Sequence, residues 1–428
     1  MKAPFRIFLP LLTAAGACLL AASLATAPSL TCTPFHPNGI YNLGETAGWT
    51  VTLAEGAAAP AGGYPYTIKK NNSDIIQSGV LDFSSGKATI ETKLTEPAML
   101  YVEVKADPPV HVGAAIAPWK LQPAVPRPGD FDRFWNAKLK LLAKIAANPE
   151  IIPTPTNQAG VDLYTIKLNS VGSHVQGYLA RPSKEGKFPA LVIFQYAGVY
   201  ALQPATATNR AAEGWLTLDV DSHDIPPNQA TGVERNYQEI GNTSRETSYF
   251  LKMYLRDARA VDYITSRADW DHKTLVFMGT SMGGQQSLVT AALRPKVTAV
   301  IVNEPAGADS NGDLHGRKAG YPNWPSTDPK VMQTALYFDT VNFAHRIKAP
   351  VLAALGFIDT TAPPAGIWTA MNQIPGSREV IPMVRSDHNN LTPQEQGAFT
   401  ERSEEVLAML LHGGEFKPAD ERTRVPAK

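Results

Sequence analysis

The chain has 428 residues, 44% hydrophobic and 18% charged, which suits a folded protein with a sizeable core and argues against a disordered chain. Lys plus Arg and Asp plus Glu number 39 each, so the formal net charge is zero and composition offers nucleic acid no basic face. At this length two domains are expected rather than one.

The first residues read as an export signal. Lys2 and Arg6 precede or interrupt the start of the apolar run IFLPLLTAAGACLLAASLA, and Ala25 and Ala27 supply small residues for cleavage. The expectation is a signal peptide over residues 1–27, cut after Ala25 or Ala27, with a secreted or periplasmic product and no stable membrane insertion after cleavage. Of the two cysteines, Cys18 would leave with the signal, and Cys32 then has no partner in the chain. Stability must therefore come from the core and not from a disulfide.

Residues 28–115 read as a small immunoglobulin-like β-sandwich. GWTVTLAEG, PYTIKKNN, GKATIETKL and AMLYVEVKA alternate apolar and polar residues and are bounded by turn formers. Pro118, Pro123, Pro126 and Pro128 then mark a linker or wrap. Residues 116–428 form the second domain. It opens on a helix that Asp130 can cap, with Phe131, Phe134, Trp135, Leu139 and Leu142 at helical spacing. VDLYTIKLNS and HVQGYLARP read as a hairpin, PALVIFQY and WLTLDVD as strands, and SYFLKMYLRDARAVDYITSR as a long amphipathic helix. TLVFMG is a strand and QQSLVTAALRP a helix; VTAVIVNEP, PVLAALGF and EVIPMV are three further strands. The final helix, TERSEEVLAMLLHGG, is ended by Gly413. Continuous apolar strands alternating with helices predict a mostly parallel sheet with helices on both faces.

Within that frame Gly279-Thr280-Ser281-Met282-Gly283 lies between a strand and a helix, where a nucleophile elbow is found in the α/β-hydrolase fold. The small residues let the turn pack closely while Ser281 projects. A serine hydroxyl needs a base to take its proton and an acid to orient that base. In this fold the chain order is nucleophile, acid, histidine. His388, in the polar loop after EVIPMV, is the expected base; His412, at a helix end, has a capping explanation. Asp359, after PVLAALGF, is the expected acid, with Glu304 as competitor, while the Asp387 side chain should diverge from its neighbour His388. Backbone N–H groups of Met282 and of Tyr196, with Ala197 as the alternative to the latter, are expected to hold an oxyanion. Residues 307–329 form a long polar excursion. Its Tyr321 and Trp324 are candidate substrate contacts that could wall a sugar, against the plainer expectation that they pack within the excursion. No histidine pair has metal-ligand spacing, and no cofactor is expected.

PRPGDFDRFWNAKL, YLRDARAVDYI, GTSMGG and VLAALGFIDTTAPP together resemble the acetyl xylan esterase and cephalosporin C deacetylase group of α/β-hydrolases, carbohydrate esterase family 7, over roughly residues 115–412. The resemblance implies Ser281, Asp359 and His388 as nucleophile, acid and base. It also implies deacetylation of small oxygen-linked esters on sugars, and ring-like homo-oligomers. Departures are Met282 for the glutamine after the nucleophile, Gln195-Tyr196-Ala197 for His-Gly-Tyr, and Asp221-Ser222-His223-Asp224 for the Arg-Gly-Gln segment. Two alternatives stand beside an exported serine esterase. One is a peptidase of the prolyl-oligopeptidase kind, opposed by the absence of a propeller-length repeat; the other is an inert carbohydrate-binding protein.

Overall fold

The computed structural model describes residues 30–419; the expected signal, its cleavage sites and Cys18 lie outside them. The front region has strands β1 (Leu30–Pro34), β2 (Ile40–Tyr41), β3 (Thr46–Leu53), β4 (Tyr64–Lys70), β5 (Asp74–Leu81), β6 (Lys87–Lys93), β7 (Ala98–Val104) and β8 (Val110–Ile116). They make a three-stranded sheet in the order β1-β3-β6 and a five-stranded sheet in the order β2-β8-β7-β4-β5. Alternate residues of both sheets, among them Trp49, Val51, Ile68, Ile90, Leu100 and Val102, fill one shared core. Cys32 is a free thiol buried in that core, and burial pushes it up to about 12, so it packs as a small apolar residue. The alternation in the sequence located β3, β4, β6 and β7. Strand β5 escaped it because Ile75, Ile76 and Val80 face solvent on an edge strand.

The rest of the chain interleaves α1 (Phe131–Ala143), β9 (Glu150–Thr154), β10 (Val161–Ser170), β11 (Ser173–Pro182), β12 (Phe188–Phe194), α2 (Pro204–Glu213) and β13 (Leu216–Asp221). It continues with α3 (Tyr249–Ser266), β14 (Trp270–Thr280), α4 (Met282–Leu293), β15 (Ala299–Asn303), α5 (Pro329–Ala335) and α6 (Thr340–Ala344). Last come β16 (Val351–Gly356), α7 (Pro364–Gln373), β17 (Arg378–Met383) and α8 (Pro393–Leu411). The sheet order is β17-β16-β15-β14-β12-β13-β11-β10-β9. From β13 to β17 all neighbours are parallel, and β9, β10 and β11 extend the sheet antiparallel. Residues of one parity, such as Val192, Leu218, Phe277 and Val300, face the core shared with α1, α3, α4, α6 and α7. Those of the other parity, such as Leu191, Val276 and Ile301, face α8. Burial on both faces is why these strands read as continuous apolar runs.

One local expectation changes and another is narrowed. Asp130 sits at the N-cap of α1 without capping it, because its carboxylate instead accepts from the Tyr337 hydroxyl and, at 2.8 Å, from Arg245. Of the linker or wrap expected of the proline-rich stretch, the structure has the wrap: Asn372 Nδ2 donates to the carbonyls of Pro118 at 2.8 Å and Leu121 at 3.0 Å, and Arg127 Nε donates to Asn342 O at 2.8 Å. Helix α7 lacked a clear apolar stripe because nearly all of it is buried.

Strand order reverses after β12, since β13 lies on one side of it and β14 on the other. The crevice above the carboxyl ends of the strands at such a reversal is where open α/β sheets place ligands. Ser281 follows β14 at that point.

Candidate active site

The elbow is built from close approach. A Cβ on Gly279 would lie 2.2 Å from the Gly283 carbonyl carbon, and one on Gly283 would lie 2.2 Å from Phe194 O, so β14, α4 and β12 meet backbone to backbone. Ser281 is held at φ 56°, ψ −121°, a left-handed conformation that costs a serine on the order of 1–3 kcal/mol and persists because its neighbours fix it. Ser281 N–H donates to Asn303 O at 2.9 Å, and Ser281 O accepts from Ala306 N at 3.0 Å and Gln285 N at 3.0 Å. The side chain caps nothing, so its hydroxyl is free to face another element.

That element is the loop after β17. Ser281 Oγ stands 2.9 Å from His388 Nε2, and His388 Nδ1 stands 2.7 Å from Asp359 Oδ2. With Nδ1 donating to the carboxylate, Nε2 is left as the acceptor for the serine proton. The other Asp359 oxygen accepts from Thr361 N and Ala362 N, each at 2.7 Å. Burial pushes the Asp359 carboxyl above its ordinary range, and the bond from His388 and those two N–H groups pull it back. Asp387 turns away from the imidazole: its Oδ1 accepts from His388 N at 2.7 Å and Thr360 N at 3.3 Å, which ties the loops of acid and base together. The expected competitor, Glu304, makes no hydrogen bond to His388, whose two ring nitrogens are taken by Ser281 and Asp359. His412 ends α8, remote in role, with its N–H on Ala408 O.

Met282 is the first residue of α4, so its N–H is one of the helix's unpaired N-terminal donors. The expectation for Tyr196 needs correction: its N–H donates to the Tyr200 hydroxyl at 3.1 Å, because the two rings stack with centroids 4.5 Å apart. Trp324 is corrected outright as a ligand contact. It is buried against Phe250 with ring centroids 5.6 Å apart, leaving no face for a sugar. Tyr321 does reach the site: its hydroxyl lies 2.9 Å from that of Tyr237 and 3.0 Å from Met282 Sδ.

The positions that depart from the resembled pattern bond to one another. Gln286 Nε2 donates to Gln195 O at 2.8 Å, Ser222 N to Gln195 Oε1 at 2.9 Å, and Ser222 Oγ to Gln286 Oε1 at 2.9 Å. Buried Arg256 closes this network on Ser222 O at 2.6 Å. His223 bridges Gly198 O at 3.0 Å and the Tyr249 hydroxyl at 2.8 Å, and burial pushes it down to about 4, so it is a neutral strut for the loop after β12. Sequence reasoning missed Tyr237, Gln286 and Arg256. Their partners are distant along the chain, and no spacing announces them.

Three comparisons bear on this arrangement. The family profile described as acetyl xylan esterase (AXE1) matches residues 119–311 and 320–402. A curated relative, acetyl esterase Axe7A of Xylanibacter ruminicola, is 31% identical over 376 residues, covering 83% of this chain and 85% of its own. That is more than residues 119–428 can supply, so the alignment extends into the front region. Among solved structures, the acetyl xylan esterase from Paenibacillus sp. R4 superposes with a TM-score of 0.60 at 22% identity, covering 69% of this chain and 98% of that one. Acetyl xylan esterase 1 from Thermoanaerobacterium sp. JW/SL YS485 does so at 0.59 and 23%, covering 69% and 96%. At those identities the solved structures show the α/β-hydrolase fold. The profile and the curated relative show more: the chain belongs to the acetyl xylan esterase family and is a carboxylic ester hydrolase.

Proposed function

We propose that this protein is an exported serine esterase that removes acetyl groups from O-acetylated sugars or similar small esters through an acyl-enzyme on Ser281. The carrying observation is the continuous relay from Ser281 Oγ through His388 to Asp359, with steps of 2.9 and 2.7 Å. Ser281 Oγ attacks the ester carbonyl while His388 Nε2 takes its proton. The carbonyl oxygen gains the negative charge and is received by the Met282 N–H at the positive end of α4. His388 returns the proton to the departing sugar oxygen, leaving acetyl-Ser281. Water then repeats the sequence, giving its proton to His388, and acetate leaves as Ser281 is reprotonated. Asp359 remains ionised throughout and holds the imidazole by Nδ1.

The acetyl preference is supported by the family and by the name of the curated relative. Export is supported by the N-terminal sequence, with Lys2 and Arg6 at the apolar run. The test is ester turnover by the mature protein and by Ser281→Ala on 4-nitrophenyl acetate, butyrate and octanoate and on acetylated xylan. The expected loss on substitution is about three to four orders of magnitude or more in kcat, with acetate the favoured acyl group. Turnover indifferent to the substitution would remove Ser281 from the mechanism, and activity confined to octanoate would remove the deacetylase reading.

A further inference from the structure

Glu304 follows β15, the strand between those that carry Ser281 and Asp359, and the relay above does not use it. It is 1% exposed, yet among the described residues its Oε1 has no hydrogen-bond partner. Its φ of 45° is a left-handed conformation that a glutamate adopts at a cost, fixed here by Glu304 N–H on Ala354 O at 2.9 Å. The result aims the side chain inward: ligand atoms of Glu304, Asp359 and His388 all lie within 4.8 Å of one another. Gly356 makes the room. A Cβ there would lie 2.7 Å from Glu304 Oε1 and 3.3 Å from Asp359 Cβ.

We propose that Glu304 is a reserve acid of the relay: its carboxyl shares one buried acid site with Asp359 and can take over as the partner of His388 where residue 359 carries no charge. The proposal rests on the serine-esterase reading. Two carboxylates this close and this buried do not both ionise, so the pair carries one negative charge and one proton. Asp359 has three donors, His388 Nδ1, Thr361 N and Ala362 N, and therefore keeps the charge. The proton stays on Glu304, whose ionisation is opposed first by burial and then by the charges of Asp359 and Asp387, which together push it to about 9. The charged groups facing it are those two aspartates and His388. During turnover the net charge of the pair balances the imidazolium, and Glu304 need not release its proton. With Asp359 replaced by asparagine, its charge no longer opposes Glu304 ionisation, and only burial and Asp387 still do. Glu304 can then become the carboxylate nearest the ring.

The test is a double-mutant cycle of Asp359→Asn and Glu304→Gln, reading kcat/KM for 4-nitrophenyl acetate from pH 5 to 10, with active sites counted by an organophosphate that labels Ser281. Loss of the acid in a Ser-His-Asp relay costs about 10⁴. Asp359→Asn alone should lose about 10² to 10³, with activity rising with pH as Glu304 ionises. Adding Glu304→Gln should cost roughly a further tenfold or more and remove that rise, whereas Glu304→Gln with Asp359 intact should cost less than tenfold. Equal cost of Glu304→Gln in both backgrounds, with an unchanged pH profile, would overturn the proposal. Glu304→Ala gives the same comparison if the glutamine variant folds poorly. Persistent activity of Ser281→Ala would sink the serine-esterase reading instead, and organophosphate labelling with no coupling between the acids would sink only the assignment to Glu304.

Discussion

Gly283→Ala tests the claim that the elbow is a backbone-to-backbone joint. The added Cβ would lie 2.2 Å from Phe194 O, 3.1 Å from Phe194 C and 3.2 Å from Gln195 O, all main-chain atoms that no rotamer change can move. Ordinary contact begins at 3.4 Å, so the start of α4 and the end of β12 must separate by about 1 Å. Those two segments carry Met282, the proposed oxyanion donor, and the loop from Gln195 that faces it. A displacement of about 1 Å in reacting groups costs on the order of 10² in rate, and overpacking a tight core costs about 1–3 kcal/mol. The expected variant therefore folds, melts earlier and loses about a hundredfold in kcat, with KM much less affected. Gly397→Ala is the matched control, since nothing lies within 4 Å of its added Cβ and it sits inside α8. It should leave kcat unchanged and stabilise by about 0.4–1 kcal/mol. The assay is kcat and KM on 4-nitrophenyl acetate beside thermal unfolding. If Gly283→Ala matched the wild type within threefold in kcat at an unchanged melting temperature, the close-packed elbow would be refuted.

Stability should depend on pH from both sides. Burial pushes Asp219 and Asp221 up to about 8, and a carboxyl raised in the folded state contributes stability below its ordinary value that is lost as pH climbs through the raised one. His223 is pushed down to about 4, so its contribution is present above the ordinary histidine value and lost as pH falls from about 6.5 toward 4. Melting temperature should thus fall from pH 7 to 9, and Asp219→Asn should flatten that fall; an unchanged slope in the variant would contradict the buried-acid account. Gly113→Ala, in the front region, would bring a Cβ to 2.4 Å from Phe357 Cβ and 2.9 Å from Phe357 O, two residues before Asp359. It is expected to lower kcat roughly ten- to a hundredfold, read by the same ester assay, and undiminished turnover would show that the front region does not reach the acid loop.

Much of the site was legible because each part had a local signature. Ser281 lay between an apolar strand and a helix among glycines, and Asp359 and His388 each followed an apolar strand in the order the fold requires. The sheet was legible for the same reason, as double-sided burial writes unbroken apolar runs. What stayed hidden depends on partners far along the chain. Trp324 looked like a surface aromatic because its neighbours are polar, and only the packing of the excursion against α3 puts it beside Phe250. Asp130 looked like a helix cap because the cap position is local, while Tyr337 and Arg245, which take its carboxylate, are more than a hundred residues away. The occupied Tyr196 N–H was equally invisible, since the stacking of Tyr200 on Tyr196 is a loop conformation and has no periodicity.

The front region illustrates the same rule at larger scale. Read alone, its strands gave no function, yet its residues brace both loops of the acid–base pair. Gly113 N–H donates to Val384 O at 2.7 Å, four residues before His388, while its missing side chain admits Phe357. Trp49 Nε1 reaches Gly113 O at 3.4 Å, and Arg385 Nε reaches Cys32 O at 3.4 Å. On the other flank Lys318 N–H donates to Asn71 O at 3.0 Å, joining the β4–β5 turn to the excursion that carries Tyr321. The strands concerned, β16 and β17, are the last two at one side of the sheet, and β17 has a sheet neighbour on only one side. Loops beyond an edge strand are held by few neighbours, and relay distances of 2.7 and 2.9 Å tolerate little drift. A second sheet packed across the ends of those strands supplies the missing side. That gives a physical reason for the front region to be joined to this esterase, independent of any sugar it binds.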